Sequence, residues 1–225
     1  MTERGFRDPQ ALRRSVTDRL RAAATAEPHA TLADLLRQFA YDRLLCRIFS
    51  GDSADRWVLK GATAMLVRLG SDSRHTRDVD LYSNAGDLDD AEAAFRVAAA
   101  RDMRDFFRFE VAPGVPVAGP SRTRRIRVTA YLGATRFASF PVDLVTNLNM
   151  TGAPEILGPL IRTRLPGIAT TAYRVYPAAD HVVTRFVRCS RYTTAPEECR
   201  SPAPGAATLW TSRCSLAPRD SMPRP

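Results

Sequence analysis

The chain reads Trp57-Val58-Leu59-Lys60-Gly61-Ala62-Thr63-Ala64 and, nine residues later, Arg74-His75-Thr76-Arg77-Asp78-Val79-Asp80-Leu81-Tyr82. The first stretch is an apolar run followed by small residues, a pattern that predicts a helix entered through a tight turn. The second stretch alternates polar and apolar residues from Asp78 to Tyr82, which predicts a strand. Together they predict a phosphate-binding turn beside a strand that carries two carboxylates.

Lys60 is the one lysine among 33 basic residues, the others being arginine. An ammonium is a compact point charge, whereas a guanidinium is a broad planar fork. A retained lysine therefore indicates a site that needs a compact cation.

Three carboxylates predict a metal site. Asp78 and Asp80 are two residues apart on the predicted strand, so their side chains share one face, roughly 6–7 Å apart. Two like charges so placed repel unless a cation lies between them, and Mg²⁺ (or Mn²⁺) accepts carboxylate and phosphate oxygens. Asp143 lies in the apolar strand Phe140 to Val145, where an unpaired carboxylate would be costly, so a metal or cation partner is implied. Such a set suits phosphoryl or nucleotidyl transfer.

A second group of residues predicts contacts to an NTP. The turn at Lys60 and Gly61 would present backbone N–H groups to a phosphate, and Gly61 would allow close approach. Thr63 could add a donor, and Arg74 and Arg77 could meet the triphosphate. The alternative for these two arginines is pairing with the neighbouring aspartates.

The remaining pattern predicts an α+β fold. Residues 10–49 read as two helices, interrupted at Pro28 and with Thr31 as an N-cap, and residues 89–104 read as a third helix. Strands are predicted at 106–111, 124–132 and 136–145, the last two as a hairpin turning at Gly133 and Ala134. We predict a loop at 113–120 and an extended segment at 173–180.

Composition limits the kinds of partner and the cellular location that we expect for this protein. The net charge of +9 favours a polyanionic partner such as nucleic acid. No apolar run is long enough for a membrane span and no secretory signal is visible, so we expect a cytoplasmic location and no membrane partner. We expect a helical segment at 1–50, a catalytic core at 51–150, the start of a C-terminal lobe at 151–182 and an atypical, poorly ordered tail at 183–225.

These motifs resemble the nucleotidyltransferase toxins of the AbiEii/AbiGii type, including the mycobacterial MenT group, within the DNA polymerase β-like superfamily. The resemblance runs from about Leu32 to His181 and also includes Pro141-Val142-Asp143-Leu144 and Tyr176-Pro177-Ala178-Ala179-Asp180-His181. It implies a polymerase β-like core, with a small mixed or antiparallel sheet flanked by helices. It also implies Mg²⁺-dependent transfer of a nucleoside monophosphate from an NTP to the 3′ end of tRNA, and a cognate antitoxin.

The resemblance also implies roles for individual residues. Asp78 and Asp80 would hold metals, Lys60 would contact the nucleotide, and Asp143 would match the third carboxylate. Thr76 adjoins the catalytic strand and is grouped with the nucleotide-binding residues. We hypothesise that an antitoxin silences the enzyme by phosphorylating Thr76.

The C-terminal part departs from the family pattern, which continues with an Asp-Lys pair and a later R-D-x-x-D-L helix. Residues 183–188 and 206–211 can be encoded so that one shared shifted frame restores both motifs. We therefore hypothesise an out-of-frame tail after about Val182, which sequencing of the gene would test. The alternatives are a catalytically impaired member that binds RNA or antitoxin and, disfavoured by the basic charge, a small-molecule nucleotidyltransferase of the aminoglycoside-modifying kind.

Overall fold

The computed structural model describes residues 5–26, 30–70, 76–117, 122–161 and 165–181. Within these residues, the four α-helices are α1 (Pro9–Ala26), α2 (Leu32–Ile48), α3 (Gly61–Leu69) and α4 (Leu88–Ala99), with a short 3-10 helix at Ala54–Arg56. Its strands are β1 (Trp57–Lys60), β2 (Val79–Ser83), β3 (Phe107–Val111), β4 (Val115–Val117), β5 (Thr123–Leu132), β6 (Thr135–Val145), β7 (Glu155–Leu157) and β8 (Tyr173–Val175). The predicted tail and its proposed frame shift lie outside the described residues.

The described strands form one mixed sheet in the order β3-β5-β6-β2-β1-β8-β7, with β4 paired to β5. Strand β2 runs parallel to β6 and β1 runs parallel to β8, whereas the other pairs are antiparallel. The α+β class predicted from the sequence is confirmed, with helices flanking a mixed sheet.

Local chemistry explains the buried face of α1 and the start of α2. Leu12, Val16 and Leu20 form the buried stripe of α1. Thr31 caps α2, because its hydroxyl accepts a hydrogen bond from the Asp34 N–H at 3.1 Å. Helix α1 packs on α2, while α2 and α4 pack on β6. Within the described residues, no helix combines the length and apolar character needed to cross a bilayer.

One hydrophobic core joins the N-terminal helices to the sheet. Strand β5 shows the pattern, because Ile126, Val128, Ala130 and Leu132 are buried while the residues between them are more exposed. Period-two alternation sends these side chains to opposite faces. The sheet around β3, β5 and β6 therefore has one face in the core and one open face.

Four local predictions differ from the structure. The helix predicted at 89–104 ends at Ala99, because the side chains of Asp102 and Asp105 accept hydrogen bonds from the N–H groups of Arg104 and Phe107 and so favour turns there. Residues 113–120 were predicted as a loop, but Val115–Val117 pairs with β5, because valine tolerates an edge strand and Pro116 needs no ladder donor there. Asp78 lies one residue before β2 rather than inside it. The extended segment predicted at 173–180 is a strand only at Tyr173–Val175, and residues 178–181 are helical.

A buried ionic cluster ties α2 to the rest of the core. Arg47 forks onto Asp105 with distances of 3.0 and 2.6 Å, and both side chains are at most 1% exposed. Asp42 is bonded to Arg43 and accepts from the Tyr173 hydroxyl at 2.6 Å. Because each buried charge has a partner, the cluster avoids the cost of an isolated ion.

Candidate active site

Four charged side chains form a row across adjacent strands. Lys60 of β1 lies opposite Asp80 of β2, Asp80 lies opposite Asp143 of β6, and Asp143 lies opposite Arg125 of β5. Directly opposite residues of neighbouring strands point to the same face of a sheet. The structure therefore brings together the predicted nucleotide contact and two predicted metal-binding carboxylates, although they are far apart along the chain.

The turn at Lys60-Gly61 is fitted to the Asp80 carboxylate. Strand β1 ends at Lys60, and α3 begins at the next residue, Gly61. Gly61 has a φ of +62°, and a Cβ built on it would lie 1.7 Å from Asp80 Oδ2. Only glycine meets both requirements, because it adopts this φ readily and has no side chain to strike the carboxylate. The predicted tight turn into a helix N-terminus is thus present.

Lys60 lies between Asp80 and an aromatic ring. Its Nζ is 5.2 Å from the ring centroid of Tyr176, within cation–π range. Burial lowers the pKa of Lys60, and the neighbouring Asp80 acts in the opposite direction. Tyr176 itself is held by β1, since its N–H donates to the Leu59 carbonyl at 2.9 Å. No role for Tyr176 follows from the sequence, because no spacing rule pairs it with Lys60.

Asp78 is held by two threonines. The Thr63 hydroxyl donates to the Asp78 carbonyl at 2.8 Å, and the Thr76 hydroxyl donates to Asp78 Oδ1 at 2.5 Å. Both threonines are buried, and Tyr41 donates to the Thr76 carbonyl at 3.3 Å. Burial raises the pKa of Tyr41, so its hydroxyl is protonated and can donate. In this arrangement the hydroxyls of Thr63 and Thr76 are used to orient Asp78.

Asp143 has an arginine partner. The Arg125 guanidinium donates from Nε to Asp143 Oδ1 at 2.7 Å and from an Nη to Oδ2 at 2.6 Å. This two-point ion pair raises the pKa of Arg125, and Asp78 and Asp80 act in the same direction. The cation partner that the apolar surroundings of Asp143 imply is therefore present as Arg125, a residue that the sequence analysis did not single out.

Two predicted phosphate contacts lie at or beyond the edge of the described structure. Arg77 is exposed and forms no ion pair with the described residues, so it does not pair with the neighbouring aspartates as the alternative expected. Arg74 lies outside the described residues.

Two of the three predicted carboxylates could hold Mg²⁺. Asp78, just before β2, and Asp80, within it, supply hard oxygen donors, as Mg²⁺ prefers. The Asp80 carboxylate packs directly against Gly61, because a Cβ built there would lie 1.7 Å from Asp80 Oδ2. In the parts of the chain that the structure covers, no three His, Cys, Asp or Glu side chains are grouped for a metal, and Asp143 is bonded through both oxygens to Arg125. The residues that fit a metal are therefore Asp78 and Asp80, with Asp143 engaged by Arg125.

Comparison with known proteins agrees with these features. The family model described as nucleotidyl transferase AbiEii toxin, type IV toxin–antitoxin system, matches residues 43–195, which include Lys60, Asp78, Asp80 and Asp143. No curated protein matches the chain. Since the match covers well over half of the sequence, the chain belongs to the AbiEii family of nucleotidyltransferase toxins of type IV toxin–antitoxin systems.

Proposed function

We propose that this protein transfers a nucleoside monophosphate from an NTP to the 3′ end of a tRNA in the cytoplasm, and that this change blocks aminoacylation and translation. The observation that carries the proposal is the row of Lys60, Asp80 and Asp143 on three adjacent strands, with Gly61 fitted over Asp80. Membership of a nucleotidyltransferase family supports the reaction class. The choice of tRNA as the acceptor is supported by the MenT-like resemblance and by the net charge of +9.

Lys60 and Asp80 of the row, with Asp78 and two threonines beside it, have tasks that their surroundings allow. Asp78 and Asp80 would hold Mg²⁺, with Mn²⁺ as a substitute, and a bound ion of this kind neutralises charge on the transferred phosphate. Lys60 would contact the triphosphate, because it ends β1 where the first N–H groups of α3 begin. Thr63 and Thr76 would fix Asp78, so that binding the metal requires little reorganisation.

A labelling experiment tests this function. The purified chain is incubated with Mg²⁺, total tRNA and each α-³²P-labelled NTP in turn, and the RNA is separated on a denaturing gel. We expect label on tRNA with one or more NTPs and its loss in Asp80→Asn. Asp18→Asn is the matched control, because Asp18 is an exposed carboxylate of α1 whose side chain is 71% accessible. Label that persists in Asp80→Asn would overturn the proposed role of this carboxylate.

The second candidate is a catalytically impaired family member that binds RNA or antitoxin. The pairing of Arg125 with Asp143 favours it, because both oxygens of the third carboxylate are then engaged by protein. The same experiment separates the two functions. No label with any NTP, together with retained tRNA binding in a filter assay, would support the impaired protein.

We further propose that phosphorylation of Thr76 by an antitoxin switches the enzyme off. A phosphate on its hydroxyl would remove the donor to Asp78 Oδ1 and place negative charge beside two carboxylates. We expect Thr76→Glu to abolish labelling and Thr76→Ser to retain most of it, since serine keeps the donor. Co-expression with the antitoxin followed by intact-mass measurement tests the modification directly, and an unchanged mass would contradict it.

A further inference from the structure

The open face of β5 carries a line of polar side chains that ends at the candidate active site. Period two places Arg125, Arg127, Thr129 and Tyr131 on this face, opposite the buried positions of the same strand. Arg125 and Arg127 are exposed. From Arg125 to Tyr131 the strand spans about 20 Å. We call Arg125, Arg127, Tyr131 and the neighbouring Arg108 the basic strip.

The far end of the basic strip is a preorganised platform. Arg108 of β3 lies opposite Tyr131, and its Cζ is 4.5 Å from the centroid of the tyrosine ring. Glu110 holds the pair, since Arg108 bonds its carboxylate at 2.6 Å. Hydrogen bonds from Arg108 and then from Tyr131 lower the pKa of Glu110. A guanidinium stacked on an aromatic ring presents a flat cationic surface, the type of surface on which unpaired nucleic acid bases stack.

The middle of the basic strip carries an uncompensated charge. Arg127 is exposed and forms no ion pair with the described part of the chain. Its neighbour across the sheet is Pro141, which brings no charge. Next along the strand, the hydroxyls of Thr129 and Ser139 lie 3.3 Å apart. A cation followed by hydroxyl donors suits a run of phosphate and sugar oxygens.

We propose that the basic strip binds the single-stranded end of an RNA acceptor. An RNA base would stack at Arg108 and Tyr131, and an RNA phosphate would bind Arg127. The 3′ end of the RNA would then lie beside Asp143 and Asp80. The proposed function explains why the end of an RNA acceptor should lie at the basic strip, and the inference rests on it for that point only. The binding surface itself is defined by the side chains of the strip. An acidic peptide would also meet the arginines, but it has no use for the stacked platform.

Fluorescence anisotropy with a fluorescein-labelled single-stranded RNA of mixed sequence tests the strip, without NTP and at several salt concentrations. We expect Arg127→Gln to weaken binding about fivefold and to reduce the salt dependence by roughly 0.7 in log–log slope, as for one phosphate contact. Tyr131→Leu should weaken binding about tenfold, through loss of stacking. Arg14→Gln, which removes an exposed arginine from α1, should bind as the wild type does.

The outcomes distinguish the strip from the reaction. Wild-type tRNA labelling with normal RNA binding by Arg127→Gln and Tyr131→Leu would overturn the strip and leave the proposed function intact. The expected binding losses in a chain that never labels tRNA would support the strip and remove the proposed function. Competition by poly-glutamate as strong as by unlabelled RNA, with no effect of Tyr131→Leu, would overturn the RNA assignment in favour of an acidic protein. Thermal unfolding of each variant confirms that the fold is retained.

Discussion

Replacing Gly61 with alanine tests the fit between the turn and the Asp80 carboxylate. The φ of +62° at this position costs an L-residue about 1–2 kcal/mol. The new Cβ would also lie 1.7 Å from Asp80 Oδ2, although ordinary contact begins near 3.4 Å. Because the obstructing atom is the end of a side chain, the carboxylate must swing aside, which costs about 0.5–1.5 kcal/mol in rotamer strain.

These terms give a loss of stability of about 1.5–3.5 kcal/mol, which lowers the Tm of a chain of this length by roughly 3–14 °C. The effect on the reaction should be larger. A catalytic group displaced by about 1 Å costs about 100-fold in rate, so labelling of tRNA should fall by that factor or more. Differential scanning fluorimetry and the α-³²P labelling assay measure the two effects.

Gly86→Ala is the matched control. No atom lies within 4 Å of a Cβ built on Gly86, and its φ is not in the left-handed region. We expect its stability to stay within about 0.5 kcal/mol of the wild type and its labelling rate to be unchanged. If Gly61→Ala resembled Gly86→Ala in both Tm and rate, the close approach of Gly61 to Asp80 would be refuted.

Three further predictions concern Arg125, the buried ionic cluster and the buried thiol. Arg125→Gln removes the cation that engages Asp143, so the protein should bind Mn²⁺ about tenfold more tightly. The EPR signal of free Mn²⁺ measures this affinity. Asp105→Asn leaves Arg47 buried without its ionic partner and should cost about 3–5 kcal/mol in urea unfolding. Burial raises the pKa of Cys46 to about 11, so at pH 8 about one thiol in a thousand is the reactive thiolate. Iodoacetamide should therefore label folded Cys46 very slowly, as measured by peptide mass spectrometry.

Each of these has a control and a contradicting result. Arg127→Gln should leave Mn²⁺ affinity close to that of the wild type. An equal gain in affinity in both variants would show that Arg125→Gln acts only through the net charge of the protein, and would contradict a specific role of Arg125. Asp18→Asn breaks an exposed pair and should cost less than about 1 kcal/mol; a similar cost for Asp105→Asn would contradict the buried ion pair. Cys46 should be labelled rapidly in urea, and equally rapid labelling without urea would show that the thiol is accessible.

Local chemistry was sufficient to predict most of the elements. The leucine and valine spacing of α1, the Thr31 cap of α2 and the turn at Gly133 are each settled by a few neighbouring residues, and the structure has all three. Prediction failed where pairing decided the outcome. Nothing within Val115–Val117 marks it as a strand, because its strand character comes from its pairing with β5.

The candidate site shows the same division. Lys60 and the Asp78-x-Asp80 pair could be proposed from the sequence, because a tight turn and two closely spaced carboxylates are local features. Arg125 could not be proposed from the sequence, because its pairing with Asp143 depends on the strand register. Counting outward from the hairpin turn pairs Leu132 with Thr135 and Tyr131 with Arg136, and the same count would place Arg124, not Arg125, opposite Asp143. An irregularity between Ala130 and Tyr131 shifts the register by one residue, and this shift places Arg125 rather than Arg124 opposite Asp143.

The sequence by itself therefore determined the α+β class, the turn, the paired carboxylates and the family resemblance, because each depends on residues close together in the chain. The tertiary structure decided that Asp80 meets Lys60 on one side and Asp143 on the other, that Asp143 is bonded to Arg125, and that Tyr176 lies over the lysine. Strand order and register fix those neighbours, and both result from packing the whole sheet against its helices.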